Sequence, residues 1–168
     1  MRSPDSLPPI ETLRELFRYD PKTGHLFWKV RAPSRPVNRP AGSADPRGYW
    51  QVSINKRLFR SHRVIFALVY GRWPQQHIDH IDGNRSNNKI TNLREANGSE
   101  NICNAKVHFD SKSGIKGVNW HKVPKKWCAR ITVNKRGIFL GYFDSIESAA
   151  AARRAAAEKL HGVFARHE

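Results

Sequence analysis

Gln76-His77-Ile78-Asp79-His80-Ile81-Asp82-Gly83-Asn84-Arg85-Ser86-Asn87-Asn88-Lys89-Ile90-Thr91-Asn92-Leu93 gathers acids, imidazoles and amides inside an otherwise basic chain. On an extended segment successive side chains point to opposite faces, so His77 and Asp79 fall on one face and His80 and Asp82 on the other. Asp79 and His80 meet a common ligand only where the strand bends or ends. Gly83 and the asparagines after it are turn-forming residues and predict that it ends there. A carboxylate suits a hard divalent cation. A neutral imidazole, with an ordinary pKa of about 6.5, takes a proton from water near neutrality. Asn84, Asn87 and Asn88 read as loop-building residues, and His77 as a surface or phosphate-contacting residue.

The rest of the composition narrows what such a site acts on. Thirty Lys and Arg against fourteen Asp and Glu in 168 residues give a net charge of +16, with a pI near 10.5. This balance points to a polyanion, nucleic acid before membrane. No apolar run approaches the roughly 20 residues of a membrane span. The opening Met1-Arg2-Ser3-Pro4-Asp5 has no apolar signal segment, so an intracellular protein is expected. Cys103 and Cys128 stand far apart without a second pair and read as small core residues, not as a disulfide framework or a zinc ribbon. The length allows one ordinary domain or two small ones.

Toward the N-terminus, Ile10, Leu13, Leu16 and Phe17 recur at helical spacing after Pro8-Pro9, which predicts a short amphipathic helix over residues 8–18. Tyr19-Asp20-Pro21-Lys22-Thr23-Gly24 is a turn, and His25-Leu26-Phe27-Trp28-Lys29-Val30 a strand. From Arg31 to Gly48, four prolines and four arginines with little to bury predict a mobile basic connector, either lying along phosphates or merely solvated. Tyr49 to Ile54 and Arg57 to Arg60 flank Asn55-Lys56 as a hairpin. Ser61 is expected to cap a helix running from His62 to about Tyr70 and closed by Gly71, its apolar middle Val64–Val69 buried. His62 has two open readings, a DNA contact or a structural hydrogen bond.

The central segment resembles the HNH nuclease motif in its phage-type branch, which reads roughly Asp-His-Ile-Asp-Gly-Asn, Asn-Asn, Asn-Leu, Glu-Asn. The matching residues are Asp79 to Asn84, Asn87-Asn88, Asn92-Leu93 and Glu100-Asn101. Tyr19 to Gly24 and His62-Arg63 also resemble stretches of phage HNH proteins. The resemblance implies a ββα-metal fold. It makes His80 the general base, Asn92 the amide that orients the imidazole, and Asp79 with Asn101 the metal ligands. Asn101 stands where the motif's name has its last His, which favours Mg²⁺ or Mn²⁺ over zinc, a metal that prefers nitrogen and sulfur. Asn97 or Ser99 is expected to cap a helix bearing Asn101 in its first turn.

The second half changes character. Between Ser111 and Phe143 there are eight Lys or Arg and no acid. Val118 and Trp120, then Trp127, Ala129, Ile131 and Val133, alternate with polar residues, and Ile138 and Leu140 extend the pattern, which predicts three strands with one core face. Ser145 is expected to cap a helix from Ile146 to about His161 that Gly162 stops, its seven alanines letting it lie close to the sheet. Gly117-Val118, Trp127, Leu140-Gly141-Tyr142-Phe143-Asp144, Glu147, Ala149-Ala150-Ala151 and Gly162 resemble the AP2/ERF DNA-binding domain. By that resemblance a three-stranded sheet backed by one helix enters the major groove. Lys116, Asn119, His121, Arg130 and Thr132 would face DNA, Arg136 would lie near the turn, and Phe139 would lie against backbone or sugar. Asn119, His121 and Thr132 replace family arginines, so the plant-type target does not carry over.

The expectation is therefore an α+β chain. Residues 1–104 form an HNH domain with its motif core at 76–104, residues 105–113 a linker, and residues 114–168 an AP2-like sheet and helix. The implied activity is single-metal hydrolysis of double-stranded DNA, nicking one strand unless the protein dimerises, in a homing or phage-mobility enzyme of a bacterial or phage-infected cell. The competing readings are a non-catalytic DNA-binding regulator on an HNH scaffold, and an RNA-directed nuclease.

Overall fold

The computed structural model describes residues 7–33, 36–98, 100–101, 111–133 and 136–161. The chain divides into two compact units, Met1–Glu95 and Ala96–Glu168. The division falls earlier than the linker expected at 105–113, of which residues 105–110 lie outside the described residues. Cys103, Ser99 and Gly162 lie outside them too.

In the first unit, helix α1 (Ile10–Leu16) buries Leu13 and stops one residue before the expected pattern ends. Phe17 opens strand β1 (Phe17–Asp20), which pairs antiparallel with β2 (His25–Trp28) in the register Phe17↔Trp28 to Asp20↔His25. Phe17 thus keeps its place in the core but as a strand residue, its ring 4.4 Å from that of Trp28. The connecting turn is tied by Asp20, whose carboxylate accepts from the Lys22 amide at 3.0 Å and the Thr23 hydroxyl at 2.8 Å.

The basic connector is more ordered than its composition predicted. Ala41 is fully buried, its N–H donating to Leu26 O at 2.7 Å and its carbonyl accepting from Trp50 Nε1 at 2.7 Å. Strand β3 (Ser43–Ala44) then joins β4 (Trp50–Ile54) and β5 (Arg57–Arg60) in a three-stranded sheet of order β3-β4-β5. Small residues let this segment enter the sheet, and a Cβ on Gly42 would lie 1.8 Å from Gln51 O. The β4–β5 turn uses Asn55 and Lys56 at φ 50° and 63°, the left-handed pair that a two-residue hairpin requires.

Helix α2 (Ser61–Tyr70) follows directly, with Gly71 at φ 67° closing it as expected. Ser61 does not cap it. The N-cap is Arg60, without a side-chain hydrogen bond, and Ser61 is itself the first helical residue, buried with its Oγ unpartnered. Val64, Ile65, Phe66 and Ala67 are buried, whereas Val69 is 45% exposed, so the helix is buried on one side only. These residues pack with Leu13, Phe17, Leu26, Trp28, Val52, Ile54, Ile78 and Leu93 in one core. Strand β6 (His77–His80) pairs with β7 (Leu93–Ala96) at its edge.

In the second unit, β8 (Val118–His121), β9 (Lys126–Val133) and β10 (Arg136–Phe143) form an antiparallel sheet of order β10-β9-β8. Helix α3 (Ile146–His161) packs on it, Ala149 against Val118 and Ala129 with Trp127, Leu140 and Phe143 around them. Ser145 caps α3 through its Oγ, which accepts from the Ser148 amide at 3.1 Å. Both units are mixed α and β. Among the described residues no helix is long and apolar enough to cross a membrane.

Candidate active site

Strand β6 carries the two central groups. His77 is exposed, while Ile78, Asp79 and His80 are all buried. The strand ends at His80, as the glycine and asparagines implied: the Gly83 amide donates to His80 O at 2.8 Å and Gly83 takes φ 67°. The Ile81 amide donates to Asn92 O at 2.9 Å, which ties the chain leaving the strand to the foot of β7.

The entry to β6 is held from two sides. Arg63 donates to Pro74 O at 3.2 Å and Gln76 O at 3.1 Å. Glu95, on β7, accepts from both terminal nitrogens of Arg72 at 3.2 and 2.5 Å and from the Gln75 amide at 2.7 Å. The Arg72 hydrogen bonds and these amides hold the Glu95 carboxyl down to about 2.

The loop after β6 is a knot of amides around Asp82. Its carboxylate accepts from the Asn84 amide at 2.7 Å, Asn87 Nδ2 at 2.7 Å and Asn92 Nδ2 at 2.9 Å. Asn92 Oδ1 in turn accepts from the Asp82 amide at 3.0 Å, and its Nδ2 also donates to Asn87 O at 2.9 Å. Burial opposes charge on Asp82, but the hydrogen bonds from Asn87, Asn84 and Asn92 outweigh it and lower the pKa.

This arrangement changes the part expected of Asn92. Its carboxamide is spent on Asp82 and Asn87, and the amide that meets the imidazole is Asn88, 1% exposed, its Oδ1 3.0 Å from His80 Nε2. A carboxamide oxygen accepts only, so this contact places the proton on Nε2 and the lone pair of the neutral ring on Nδ1. Asn88 is fixed from behind by the first hairpin. A Cβ on Gly24, at φ 77°, would come 2.7 Å from Lys89 N and 2.9 Å from Asn88 C, and Tyr19 Oη accepts from the Ile90 amide at 2.8 Å. The Tyr19 to Gly24 turn thus braces the loop that orients His80.

Asp79 lies beside this pair at 5% exposure. Arg94, from β7, donates to its Oδ2 from Nε and Nη2, both at 2.9 Å. A buried carboxylate needs such a counter-charge. Two further residues close the corner. Tyr49 carries the guanidinium of Arg60 at 4.6 Å and that of Arg85 at 5.0 Å from its ring centre. His62, in the first turn of α2, meets the His80 ring edge-on at 5.1 Å. Asn88, Arg94, Tyr49 and His62 were not assigned to the site from sequence. The Asn88 signal was hidden in a run of asparagines suited to turns, and the others come from distant elements.

Asn101 lies in the second unit, exposed, in a helical turn opened by a capping box: Asn97 Oδ1 accepts from the Glu100 amide at 2.9 Å, and Glu100 Oε2 from the Asn97 amide at 2.7 Å. Among the described residues no group of three or more His, Cys, Asp or Glu is arranged to hold a metal.

The register of the second sheet sorts the expected DNA contacts. Asn119 pairs with Cys128, Cys128 with Tyr142, Arg130 with Phe139, Thr132 with Gly137 and His121 with Lys126, so Asn119, His121, Arg130 and Thr132 share one face. Arg136 pairs with Val133 and belongs to the other row, and Lys116 precedes β8. The shared face also presents Phe139 and Tyr142, 52% and 42% exposed, their rings 5.1 Å apart.

Residues 59–102 match the HNH endonuclease family. Protein 3.8 of Escherichia phage T7 is 36% identical over 108 residues, covering 64% of this chain and 88% of that protein. An uncharacterized HNH endonuclease, L560, of Acanthamoeba polyphaga mimivirus is 31% identical over 120 residues, covering 69% of this chain and 60% of that protein. The chain belongs to the HNH endonuclease family. No solved structure matches it.

Proposed function

We propose that the protein is a metal-dependent DNA endonuclease in which His80 is the general base and the second unit is an AP2-like DNA-binding module. The observation that carries the reading is the buried His80–Asn88 contact at 3.0 Å beside Asp79. It fixes the tautomer that a base requires, and such an outer hydrogen bond both orients and strengthens the imidazole. Nδ1 of His80 takes a proton from the attacking water as the new O–P bond forms, and the 3′ oxygen leaves on the opposite side.

The donor chemistry fits a hard cation. Asp79 is a buried carboxylate on the base's own strand, already part-balanced by Arg94, and would hold Mg²⁺ or Mn²⁺ through oxygen; the HNH resemblance implies Asn101 as a second oxygen ligand. The cation supplies charge neutralisation at the leaving oxygen. Asn92 holds the loop and acts on His80 through it. One such site nicks one strand. The acid-free basic sheet face supports delivery to duplex DNA, and the resemblance to phage-type HNH nucleases suggests a role in homing or phage mobility.

Conversion of supercoiled plasmid to open circle with Mg²⁺, Mn²⁺ or EDTA tests the proposal. Metal-dependent nicking that His80→Ala abolishes is expected. Binding without nicking by either protein, on plasmid and on a random-sequence duplex library, would leave a DNA-binding regulator.

A further inference from the structure

We propose that His62 touches the substrate, donating a hydrogen bond from Nδ1 to a non-bridging oxygen of the scissile phosphate. The inference rests on the nuclease reading of His80. His62 is 6% exposed, and its Nδ1 is buried with no hydrogen-bond partner. A buried polar nitrogen left unpartnered is destabilising, and a native fold that keeps one calls for a reason. A ligand that arrives only with the substrate supplies it.

The surroundings select an anion with oxygen acceptors. The ring of His62 stands 5.1 Å from His80 and 5.6 Å from Tyr49, and Tyr49 stands 6.1 Å from His80, so three rings frame one corner. Tyr49 carries two guanidinium groups, those of Arg60 and Arg85, and of these Arg60 is paired with Asp45. The two guanidinium groups on Tyr49 draw a phosphodiester to the corner. Burial, then the neighbouring His80, Arg63 and Arg60, pushes the His62 pKa down to about 3, so the ring is neutral at physiological pH. A neutral imidazole with its proton on Nδ1 is a donor that does not compete with His80 for the proton of water.

The test uses the full chain and a duplex bearing its mapped cleavage site, with the cleaved phosphate as oxygen or as either phosphorothioate diastereomer. Loss of one preorganised donor costs roughly 10²–10³ in kcat. His62→Phe and His62→Gln should lose about that factor on the oxygen substrate with KM nearly unchanged. Wild type should be slowed by one diastereomer in both Mg²⁺ and Mn²⁺, and His62→Phe should lose that discrimination. Equal thio effects in both proteins, or wild-type kcat in His62→Phe, overturn the assignment. A variant that fails to fold is bypassed by ¹⁵N NMR of the wild-type imidazoles in EDTA. The His62 Nδ1 resonance should move on adding duplex, and one that stays fixed overturns the contact. If wild type and His80→Ala are equally inert, the nuclease reading falls, and the NMR arm still decides whether His62 meets the backbone.

Discussion

The two units use polar residues in opposite ways. In the first, Asp79, His80 and Asn88 are buried, and each hydrogen bond fixes the next: Asn92 holds Asp82, the loop holds Asn88, and Asn88 meets His80. In the second, Asn119, Arg130 and Thr132 stand exposed on a sheet whose opposite face is closed by α3. Chemistry on a phosphate requires a preorganised group, and preorganisation comes from satisfied polar networks. Contact with a long polyanion requires reach and net charge, which a row of exposed side chains supplies.

The largest test of that contrast is His80→Ala. General base catalysis contributes typically 10²–10⁴-fold, so nicking should fall by about that factor while duplex affinity, measured by gel shift, holds within about twofold. An equal fall in both would break the division of labour. Next in size is Asn88→Ala. Loss of an outer partner of an imidazole costs about 10–100-fold by analogy with metal-site histidines, and kcat should drop by that much with KM unmoved. Asn92→Ala should act mainly through stability, losing its bonds to Asp82 and Asn87. A larger kcat loss in Asn92→Ala than in Asn88→Ala, at temperatures where both are folded, would return the orienting role to Asn92.

Gly24→Ala separates bracing from chemistry. A methyl there meets the backbone at Lys89 and Asn88 and sits at φ 77°, a conformation costing about 1–2 kcal/mol for a residue with a side chain. The melting temperature should fall by several degrees, and kcat should fall with it below melting, because the displaced backbone carries Asn88. A lower melting temperature with unchanged kcat would show that the hairpin supports the fold without aligning the base.

Much of this was legible from residue order. The hairpin turn at Asn55-Lys56, the αL close at Gly71, the strand end at Gly83 and the Ser145 cap all follow from local backbone preferences, which neighbours in sequence decide. The partner of His80 was not legible, because Asn87, Asn88 and Asn92 are chemically equivalent, and tertiary contacts of the loop with Asp82, Gly24 and Tyr19 distinguish them. Nor was the ordering of Ala41 to Ala44, where Ala41 is buried and Ser43-Ala44 pair with Gln51 and Trp50 of β4, because strand pairing across a connector is set by no local pattern. Phe17 kept its apolar role while changing element, since a core position can be reached from a helix or a strand. Arg136 is a contact near the turn by the AP2 resemblance, and pairing with Val133 puts it on the other row.

That last difference gives a smaller, sharper test of the second unit. Each phosphate contact contributes about 0.9 to the log–log dependence of affinity on salt. Arg130→Ala should reduce the slope by about that amount, and Arg136→Ala by less. A reversed order would mean that DNA lies against the other row or the strand ends.

The smallest effect expected lies at the junction of β6 and β7, and its sign follows from Glu95. Its pKa is lowered from 4.5 to about 2 in the folded chain, with the Arg72 hydrogen bond the leading cause. A carboxyl with a depressed folded pKa contributes stability above its unfolded pKa and loses it as pH falls through the folded one. Stability should therefore decline between pH 4.5 and about 2, and Glu95→Gln should flatten that limb of a urea-denaturation series while leaving pH 7 nicking almost unchanged. The pair is largely solvent-screened, which keeps the effect small. Because Glu95 also accepts the Gln75 amide at the entry to β6, a nicking loss in Glu95→Gln comparable to that of Asn88→Ala would show that the strand's entry, as well as its exit, sets the position of His80.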